Sequence, residues 1–374
     1  MRRAFKFRMY PTRDQEARIR EQFYQCRRLY NAMLEQRRTA WRSHHRNIGW
    51  AEQSRQIVDV ARSLPEYQAI YSQVLRHTAK RLDLAFQAFF RRVRNQQTPG
   101  FPRFRGRNRW DSLTYPQAGN GSVHIQENRV SFSKLVNEVR FVPHRPLEGT
   151  VKTATIRNEA DRWFVVFTCD NVPPRLVAGT GEAGLDMGLT HLATTDTGKV
   201  LENPRFEQHA LDRLRRAHHR LSRGHKGSHR RQKNLVLLQK AHLKVRSQRR
   251  YHYHQVARNL VLGNRRIAVE ALRPSRMLDQ NPTTNRHIHD AAWSLFLSIL
   301  RCKAEEAGTR VVDVNPAYTS QTCNQCGARE AKPLWQRVHT CACGLVMDRD
   351  VNAAKNILTR ARLEPSWTTP MGVA

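Results

Sequence analysis

Two close pairs of cysteines constrain the fold more than any other feature of the sequence, because all four must come together at one point. They stand as Cys323-x2-Cys326 and Cys341-x-Cys343, separated by fourteen residues, and a glycine follows Cys326 and Cys343. In a chain expected to be intracellular, this pattern favours a tetrahedral Zn–S4 site over disulfides. Four protein ligands leave no open position, so the predicted zinc ion is structural.

The second pair is unusual because a single residue separates its cysteines. His339 lies just before this pair and could replace one thiolate as a zinc ligand. The other three cysteines, Cys26, Cys169 and Cys302, are scattered along the chain. Because a free cysteine behaves as a small hydrophobic residue, all three are predicted to be buried.

The N-terminal part of the chain is predicted to be helical after one short strand. The strand covers residues 4–9, and Thr12 and Gln15 then form the capping box of a long basic helix that ends near Arg42. A second helical region follows over residues 52–94. Its apolar residues recur at steps of three and four and predict a core-facing stripe: Leu75, Ala79, Leu82, Phe86, Phe89 and Val93.

The period of the apolar residues changes to two after the segment Thr98-Pro99-Gly100-Phe101-Pro102, which no helix crosses. From about residue 110 to 170 the chain shows short alternating strands separated by turns, which is typical of a small antiparallel barrel or sandwich. The two predicted hairpins join residues 123–125 to 130–132 and residues 154–156 to 163–165.

The C-terminal part alternates between strands and helices. A basic helical hairpin is predicted over residues 206–262, with its turn at residues 223–228. Gly308 is a suitable stop for a later helix. The other predicted elements are strands over 183–186, 192–195, 266–269 and 310–314 and a helix over 291–306.

The net charge indicates the class of partner. The chain has 65 Lys+Arg against 31 Asp+Glu, a net charge of +34, and 53 of the basic residues are arginine. Such a surplus cannot be neutralised internally, so nucleic acid is the expected counter-charge and an anionic membrane is the weaker candidate. A basic helix face can also be simply solvated. The candidate nucleic-acid contacts are Arg103, Arg105, Arg230, Arg231, Lys233, Lys240, Arg246, Arg249 and Arg250.

The sequence favours an intracellular protein without a membrane span. No apolar run approaches the ~18 residues that a span needs. The start of the chain is basic and lacks the apolar stretch of a secretory signal. We therefore expect a soluble, intracellular protein.

Three acids lie near the ends of predicted elements: Asp186, Glu270 and Asp350. Carboxylates are the hard ligands that two-metal phosphodiester cleavage requires, provided that positions remain for water and phosphate. Gly184 and Gly188, on either side of Asp186, are interpreted as space for a phosphate backbone. Each acid taken singly is equally compatible with an ordinary turn, strand end or helix cap.

Three neighbouring acids compete with these candidates. One of Asp348 and Asp350 is expected to cap the helix that follows, because the exposed N–H groups of a helix start favour an acid. Asp196 in Thr195-Asp-Thr-Gly198 is assigned to a turn. Asp313, in an apolar run, is assigned to the polar side of a strand.

The order of these elements is that of a ribonuclease-H-like fold, and the motifs resemble those of the TnpB family, the OrfB-type RNA-guided nucleases of transposons related to type V CRISPR effectors. The resemblance covers nearly the whole chain, including Tyr10-Pro-Thr and Gly100-Phe-Pro-Arg-Phe104. The motifs that resemble the family's three RuvC motifs and zinc ribbon are Gly184-Leu-Asp186-Met-Gly188, Val269-Glu270-x-Leu272-x4-Met277, Asp348-Arg-Asp350-x-Asn352-Ala-Ala-x-Asn356-Ile357, and Thr319-Ser-Gln-Thr-Cys323-x2-Cys326-Gly327 with Cys341-x-Cys343-Gly344.

This resemblance implies a multidomain α+β protein. It would contain an RNase H-like (RuvC) α/β nuclease domain with an inserted zinc ribbon, an N-terminal helical recognition region and an antiparallel β-barrel wedge domain. The implied bounds are 1–10 for the first wedge strand, 11–105 for the recognition region, 106–175 for the wedge, 176–318 for the nuclease domain, 319–347 for the ribbon, 348–364 for the last nuclease helix and 365–374 for a loose tail.

The resemblance also implies a function. Asp186, Glu270 and Asp350 would hold two catalytic Mg²⁺ ions, with Asp350 rather than Asp348 as the third acid. The expected activity is cleavage of double-stranded DNA next to a short target-adjacent motif, guided by an RNA from the transposon end, in a prokaryotic cytoplasm. The alternatives are a catalytically silent RNA-guided repressor and a guide-independent RNase H-like nuclease or transposase.

Overall fold

The chain divides at Pro173 into an N-terminal unit, Met1–Pro173, and a C-terminal unit, Pro174–Ala374. The computed structural model describes residues 1–107, 109–272, 277, 281–333, 335–364 and 367. None of the helices in this described part combines the length and the apolar character that a membrane crossing requires.

A seven-stranded antiparallel sheet is the centre of the N-terminal unit. Its strands are β1 (Arg3–Tyr10), β2 (Ser112–Tyr115), β3 (Val123–Gln126), β4 (Arg129–Phe132), β5 (Val136–Val142), β6 (Thr150–Glu159) and β7 (Arg162–Asp170), in the order β2-β6-β7-β1-β5-β4-β3. The hairpins β3–β4 and β6–β7 confirm the two predicted ones. The edge strands β2 and β3 do not pair with each other, so the expected barrel is present as a nearly closed sheet.

The α-helices of the N-terminal unit lie between β1 and β2 in the sequence. They are α1 (Arg13–His44), α2 (Trp50–Ser63), α3 (Pro65–Gln68) and α4 (Ser72–Arg94). The predicted capping box begins α1, since the Gln15 N–H donates to Thr12 Oγ1 (3.3 Å) and the Thr12 N–H donates to Gln15 Oε1 (3.0 Å). Both contacts satisfy N–H groups that have no partner within the helix.

The apolar stripe of α4 enters the core only along its first half. Leu75 and Leu82 are fully buried, whereas Val93 is 49% exposed, so its predicted burial is wrong. The last turn of α4 is rich in arginine, and these charged side chains keep that end of the helix in water. Between the two ends, the half-buried Phe89 packs edge-on against Phe101 at 5.4 Å between ring centroids.

A five-stranded mixed sheet is the centre of the C-terminal unit, in the order β10-β9-β8-β11-β12. The central strand β8 is antiparallel to β9 and parallel to β11, which is parallel to β12. The elements of this unit are β8 (Gly181–Met187), β9 (His191–Thr195), β10 (Val200–Glu202), α5 (Phe206–Ser222), α6 (His229–Gly263), β11 (Asn264–Glu270), α7 (Pro282–Ala291), α8 (Trp293–Ala307), β12 (Arg310–Val314), the paired strands β13 (Val338–Thr340) and β14 (Val346–Asp348), and α9 (Arg349–Leu363).

Helices α5 and α6 form the predicted basic hairpin. Ser228 caps α6, because its Oγ accepts the Arg231 N–H at 3.2 Å. Leu214, Leu238 and Val245 form a small buried core between the two helices, so the apolar residues pack while the basic ones stay outside. The prediction of this hairpin and of its break is confirmed.

Two side chains differ from their expected environment. Trp367 belongs to the segment expected to be a loose tail, but it is only 3% exposed and packs with residues of β12 and α9. The other residues of that segment lie outside the described part.

Cys302 is exposed, so its predicted burial is wrong, whereas Cys26 and Cys169 are buried. The helical period places Cys302 on the solvent side of α8.

Helix α9 packs directly on the backbone of β8 at Gly184. A Cβ atom at this position would lie 2.2 Å from the Ala354 carbonyl oxygen and 2.9 Å from Leu358 Cβ. The interpretation of Gly184 as space for a phosphate backbone is therefore wrong, because α9 occupies that face. Gly184 is required by helix packing instead.

The close approach at Gly184 generates a stability prediction. Gly184→Ala should lower the free energy of unfolding by about 3 kcal/mol, because neither the Ala354 carbonyl nor the α9 backbone can move aside cheaply. Gly263→Ala is the matched control, since a Cβ at Gly263 meets no atom within 4 Å. Urea unfolding of the two variants measures the difference, and equal midpoints would contradict the packing argument.

Candidate active site and metal centre

The three candidate acids lie on three elements that pack together in the C-terminal unit. Asp186 stands near the end of β8, Glu270 is the last residue of β11, and Asp350 is the second residue of α9. Strands β8 and β11 run in parallel with Leu185 opposite Val269. Asp186 and Glu270 each follow that pair by one residue, so they reach the same edge of the sheet on neighbouring strands.

Glu270 is held by a hydroxyl group from outside the sheet. It is 6% exposed, and Thr319 Oγ1 donates to Glu270 Oε1 at 2.7 Å. Burial raises the pKa of the Glu270 carboxyl, and the Thr319 hydrogen bond and the Arg360 charge oppose that shift. From its sequence, Thr319 is predicted only as part of the ribbon motif, because no local pattern connects a hydroxyl to an acid this far along the chain.

Asp348 and Asp350 have separate roles. Asp348 is the N-cap of α9, and its Oδ1 accepts the N–H groups of Asp350 at 2.8 Å and Val351 at 3.0 Å. The prediction that one of the two acids caps this helix is confirmed. Asp350 lies inside the helix and is not its cap, and Arg337 Nη1 lies 4.0 Å from Asp350 Oδ2.

Asp186 has the strongest electrostatic perturbation of the three acids. Burial raises the pKa of its carboxyl to about 8, and the charges of Glu270 and Asp350 act in the same direction. Arg349 opposes the shift but does not cancel it. The Glu270 and Asp350 carboxylates are therefore close enough to Asp186 to oppose its ionisation, which is an electrostatic condition that a bound cation relieves.

The two remaining acids have structural partners, as expected. Asp196 lies in the turn after β9, and its Oδ1 accepts the Gly184 N–H at 2.9 Å. Asp313 is on the exposed side of β12 and pairs with Arg301 at 2.6 Å. Neither acid is part of the group around Asp186.

The four cysteines come together as the pattern predicted. Their sulfurs lie within 4.8 Å of one another, and they form a group that could hold one metal ion. The Sγ atoms of Cys323 and Cys343 are 3.7 Å apart and those of Cys326 and Cys341 are 3.5 Å apart. These distances are too long for disulfides and suit four thiolates around one ion.

Backbone N–H groups point at the sulfurs, as the following glycines suggested. Burial alone would raise the pKa of the Cys323 thiol, but the N–H groups of Cys326 and Gln325 and the His339 side chain lower it to about 5. The Leu345 N–H lowers the pKa of the Cys343 thiol, yet desolvation and the neighbouring thiols outweigh it and raise that pKa to about 12. Such crowding of thiols is relieved when a divalent cation binds.

His339 lies beside the cluster without belonging to it. The side chain is buried, and its Nδ1 lies 3.0 Å from Lys332 Nζ. The four sulfurs already surround one position. The structure therefore favours four thiolate ligands over a set in which His339 replaces one of them.

Two of the candidate nucleic-acid contacts are used inside the protein. Arg249 is 13% exposed and pairs with the buried Asp290 at 2.6 Å. Arg231 Nη1 donates to the carbonyl oxygens of Leu221 (2.6 Å) and Gly224 (3.1 Å), which satisfies carbonyl groups at the C-terminal end of α5. These internal contacts argue against Arg231 and Arg249 as nucleic-acid contacts. The candidates with exposed side chains are Arg103, Arg105, Arg230, Lys233, Lys240, Arg246 and Arg250.

Three family models match the chain: OrfB_IS605 "Helix-turn-helix domain" over residues 1–46, OrfB_IS605 "Probable transposase" over 164–281, and "Cas12f1-like, TNB domain" over 293–357. A relative from Streptomyces pristinaespiralis, named "Putative RNA-guided DNA endonuclease", is 31% identical over 96% of this chain and 89% of its own. The chain belongs to the TnpB family. A second TnpB relative, "Putative RNA-guided DNA endonuclease InsQ" from Escherichia coli, is 29% identical over 95% of this chain and 91% of its own.

The TnpB chain also has a counterpart among solved structures. The "Cryo-EM structure of the Cas12f1-sgRNA-target DNA complex" superimposes with a TM-score of 0.59 and 12% identity, and covers 96% of this chain and 98% of that one. This likeness concerns the fold alone. Over residues 1–46, where the helix-turn-helix model matches, the TnpB chain has strand β1 and the single long helix α1.

The pKa of Asp186 generates a prediction about pH. The folded-state pKa of about 8 lies above the unfolded-state value of about 3.9. Between these two pH values, the folded state therefore binds one more proton than the unfolded state. The stability of the magnesium-free chain should therefore fall as pH rises from about 4 to about 8. Asp186→Asn should remove much of this fall and raise the melting temperature at pH 8.

Thermal unfolding in magnesium-free buffer over this pH range measures the effect. Asp313→Asn is the control, because Asp313 is exposed and its carboxylate pairs with Arg301. Parallel curves for the wild type and Asp186→Asn would contradict the assigned electrostatics.

The geometry of the cysteine cluster predicts the effect of removing His339. His339→Gln should keep one zinc ion per chain, because four thiolates remain, whereas Cys343→Ser should lose most of it. Metal analysis of the purified variants by mass spectrometry checks this. Equal zinc loss in both variants would make His339 a ligand.

Proposed function

We propose that this chain is an RNA-guided DNA endonuclease encoded by a transposon. The observation that carries the proposal is the convergence of Asp186, Glu270 and Asp350, in a chain 31% identical over nearly its full length to a relative named for that activity. The proposal is supported by the presence of an acid on each of β8, β11 and α9. This argues against a catalytically silent repressor.

The topology of the C-terminal unit supports a RuvC assignment. Its sheet has the order β10-β9-β8-β11-β12, with three antiparallel strands followed by two crossovers that keep β8, β11 and β12 parallel. That is the arrangement expected of an RNase H-like fold. We assign β8 to the first acid, β11 to the second, and α9, which follows the cysteine cluster, to the third.

The donor set fits magnesium. Three carboxyl groups supply hard oxygen ligands, and the burial and neighbouring carboxylates that favour the protonated form of Asp186 would be offset by a bound divalent cation. Two Mg²⁺ ions held by Asp186, Glu270 and Asp350 would activate a water molecule and stabilise the leaving oxygen of the cleaved phosphodiester. The chain itself contributes the arrangement: Thr319 orients Glu270, and the capping by Asp348 leaves Asp350 available.

The cysteine cluster fits a structural zinc ion. Four sulfurs surround one position, backbone N–H groups point at them, and four protein ligands leave no coordination site for a substrate. We assign Zn²⁺ to Cys323, Cys326, Cys341 and Cys343. Its role would be to fold the segment between β12 and α9.

The partners are a guide RNA and double-stranded target DNA. A net charge of +34 is large enough to neutralise phosphates of both a guide RNA and a target DNA. The structure of the Cas12f1 neighbour contains a single-guide RNA and target DNA. By this assignment, base pairing reads the target and the protein reads only a short adjacent motif. The guide would come from the transposon end.

The first test is to identify the bound RNA. The full chain, expressed with its flanking DNA, should retain one discrete RNA with a constant scaffold at about 0.5 M salt, where purely ionic contacts are lost. Sequencing of the copurified RNA checks this. A random RNA mixture would favour a guide-independent nuclease.

The second test concerns the acids. With that guide and a matched target, Asp186→Ala and Glu270→Gln should each reduce magnesium-dependent DNA cleavage more than about 100-fold. Mutation of a residue that only hydrogen-bonds to a metal ligand already lowers metal affinity or activity by ~10–100-fold. Asp313→Asn should cut at the wild-type rate, and all three should bind RNA equally. Guide-directed binding by the wild type without cleavage would instead establish a repressor.

A further inference from the structure

Two buried asparagines follow Asp350 on α9. Asn352 is fully buried and Asn356 is 6% exposed, and their spacing of four residues places them on one face of the helix. Asparagine is a poor helix former, and a buried amide is costly unless it is hydrogen-bonded. Their position therefore requires specific partners.

Those partners lie on the backbone of one short segment, residues 319–324. Asn356 Nδ2 donates to the carbonyl oxygens of Thr319 (2.8 Å) and Thr322 (2.6 Å), and Asn352 Nδ2 donates to the Thr322 carbonyl (2.8 Å). Asn352 Oδ1 accepts the Asn324 N–H at 3.0 Å. The two amides thus hold this segment against α9 through the backbone of Thr319, Thr322 and Asn324.

The attached segment connects the two candidate metal sites. At one end, Thr319 Oγ1 donates to Glu270 Oε1 at 2.7 Å. At the other end, Cys323 joins the sulfur cluster directly after Thr322. A shift of the segment would therefore displace the Thr319 hydroxyl and the Cys323 sulfur together.

We propose that Asn352, Asn356 and Thr319 are positioning residues for Glu270. The amides of α9 hold the backbone of Thr319, and the Thr319 hydroxyl holds Glu270 Oε1, so that the carboxylate keeps one orientation in which it would bind a divalent cation. Because Asp350 begins the same helix, α9 positions the third acid directly and the second acid through this segment. This inference rests on the proposed nuclease function.

The sharpest test is Thr319→Val, which removes the hydroxyl but keeps the shape of the side chain and the backbone carbonyl that Asn356 binds. The full chain with its guide should then need about tenfold more Mg²⁺ for half-maximal cleavage, the usual cost of losing an outer partner of a metal ligand. Thr319→Ser keeps the hydroxyl and should behave as the wild type. A half-maximal Mg²⁺ concentration within twofold of the wild type for Thr319→Val would overturn the proposal.

A binding measurement separates positioning from a general loss of structure. Titration of the RNA-free full chain with Mn²⁺, followed by the electron paramagnetic resonance signal of free Mn²⁺, should show the weaker site in Thr319→Val and normal affinity in Thr319→Ser. Zinc content should be unchanged in both. Equal Mn²⁺ affinity in the wild type and Thr319→Val would overturn the role of the hydroxyl even if cleavage changed.

Asn356→Ala tests the other half of the proposal. It releases the segment that carries both Thr319 and Cys323, so it should weaken Mn²⁺ binding and also speed the loss of zinc to a chelator, whereas Thr319→Val should affect only Mn²⁺. If Asn356→Ala does not fold, Asn352→Ala, which removes fewer contacts, should show the same double effect. Unchanged affinity for both metals in the folded variant would overturn the role of the amides.

Glu270→Gln, measured alongside, distinguishes this inference from the proposed function. If Glu270→Gln cuts DNA at the wild-type rate, the nuclease site itself is wrongly assigned. If Glu270→Gln is inactive while Thr319→Val is unaffected, the nuclease site stands and only the positioning role fails.

Discussion

The contact between α9 and the backbone of β8 at Gly184 is the interaction on which the C-terminal unit depends. A side chain at that position would collide with the Ala354 carbonyl, so the helix can approach the strand only because glycine is there. The start of α9 carries Asp350 and Asn352, and Asn356 follows about one turn later. One close contact therefore sets the distance between the third acid and the sheet, and also the position of the segment that the asparagines hold.

A strongly cationic chain contains a carboxyl group with a raised pKa, and burial explains how both can exist. The net charge of +34 would lower the pKa of any exposed carboxyl, yet desolvation and two neighbouring carboxylates raise that of Asp186 to about 8. Local low-dielectric interactions thus outweigh the average field of the protein. Part of the positive charge is also internal, because Arg249 neutralises Asp290 and Arg231 closes a helix end.

Elements whose signals are local were predictable. The capping box at Thr12, the break of the basic hairpin and the helix stop at Gly308, which has φ of 77°, all depend on residues within a few positions of one another. The short strands β13 and β14 were missed, since three residues show no measurable period. The predicted burial of Val93 at the end of α4 was wrong. Periodicity shows which face of a helix is apolar but not how far the neighbouring elements extend along it.

The sequence by itself determined the chemistry available to this protein: four thiols at ribbon spacing, three acids at element ends and a large cationic surplus. The tertiary structure decided how these groups are used. It made Asp348 the cap of α9 and left Asp350 inside the helix, kept His339 outside the sulfur cluster, and brought the Thr319 hydroxyl to Glu270. The physical reason is that capping and ligand spacing follow from adjacent residues, whereas contacts between distant residues depend on how helices and strands pack.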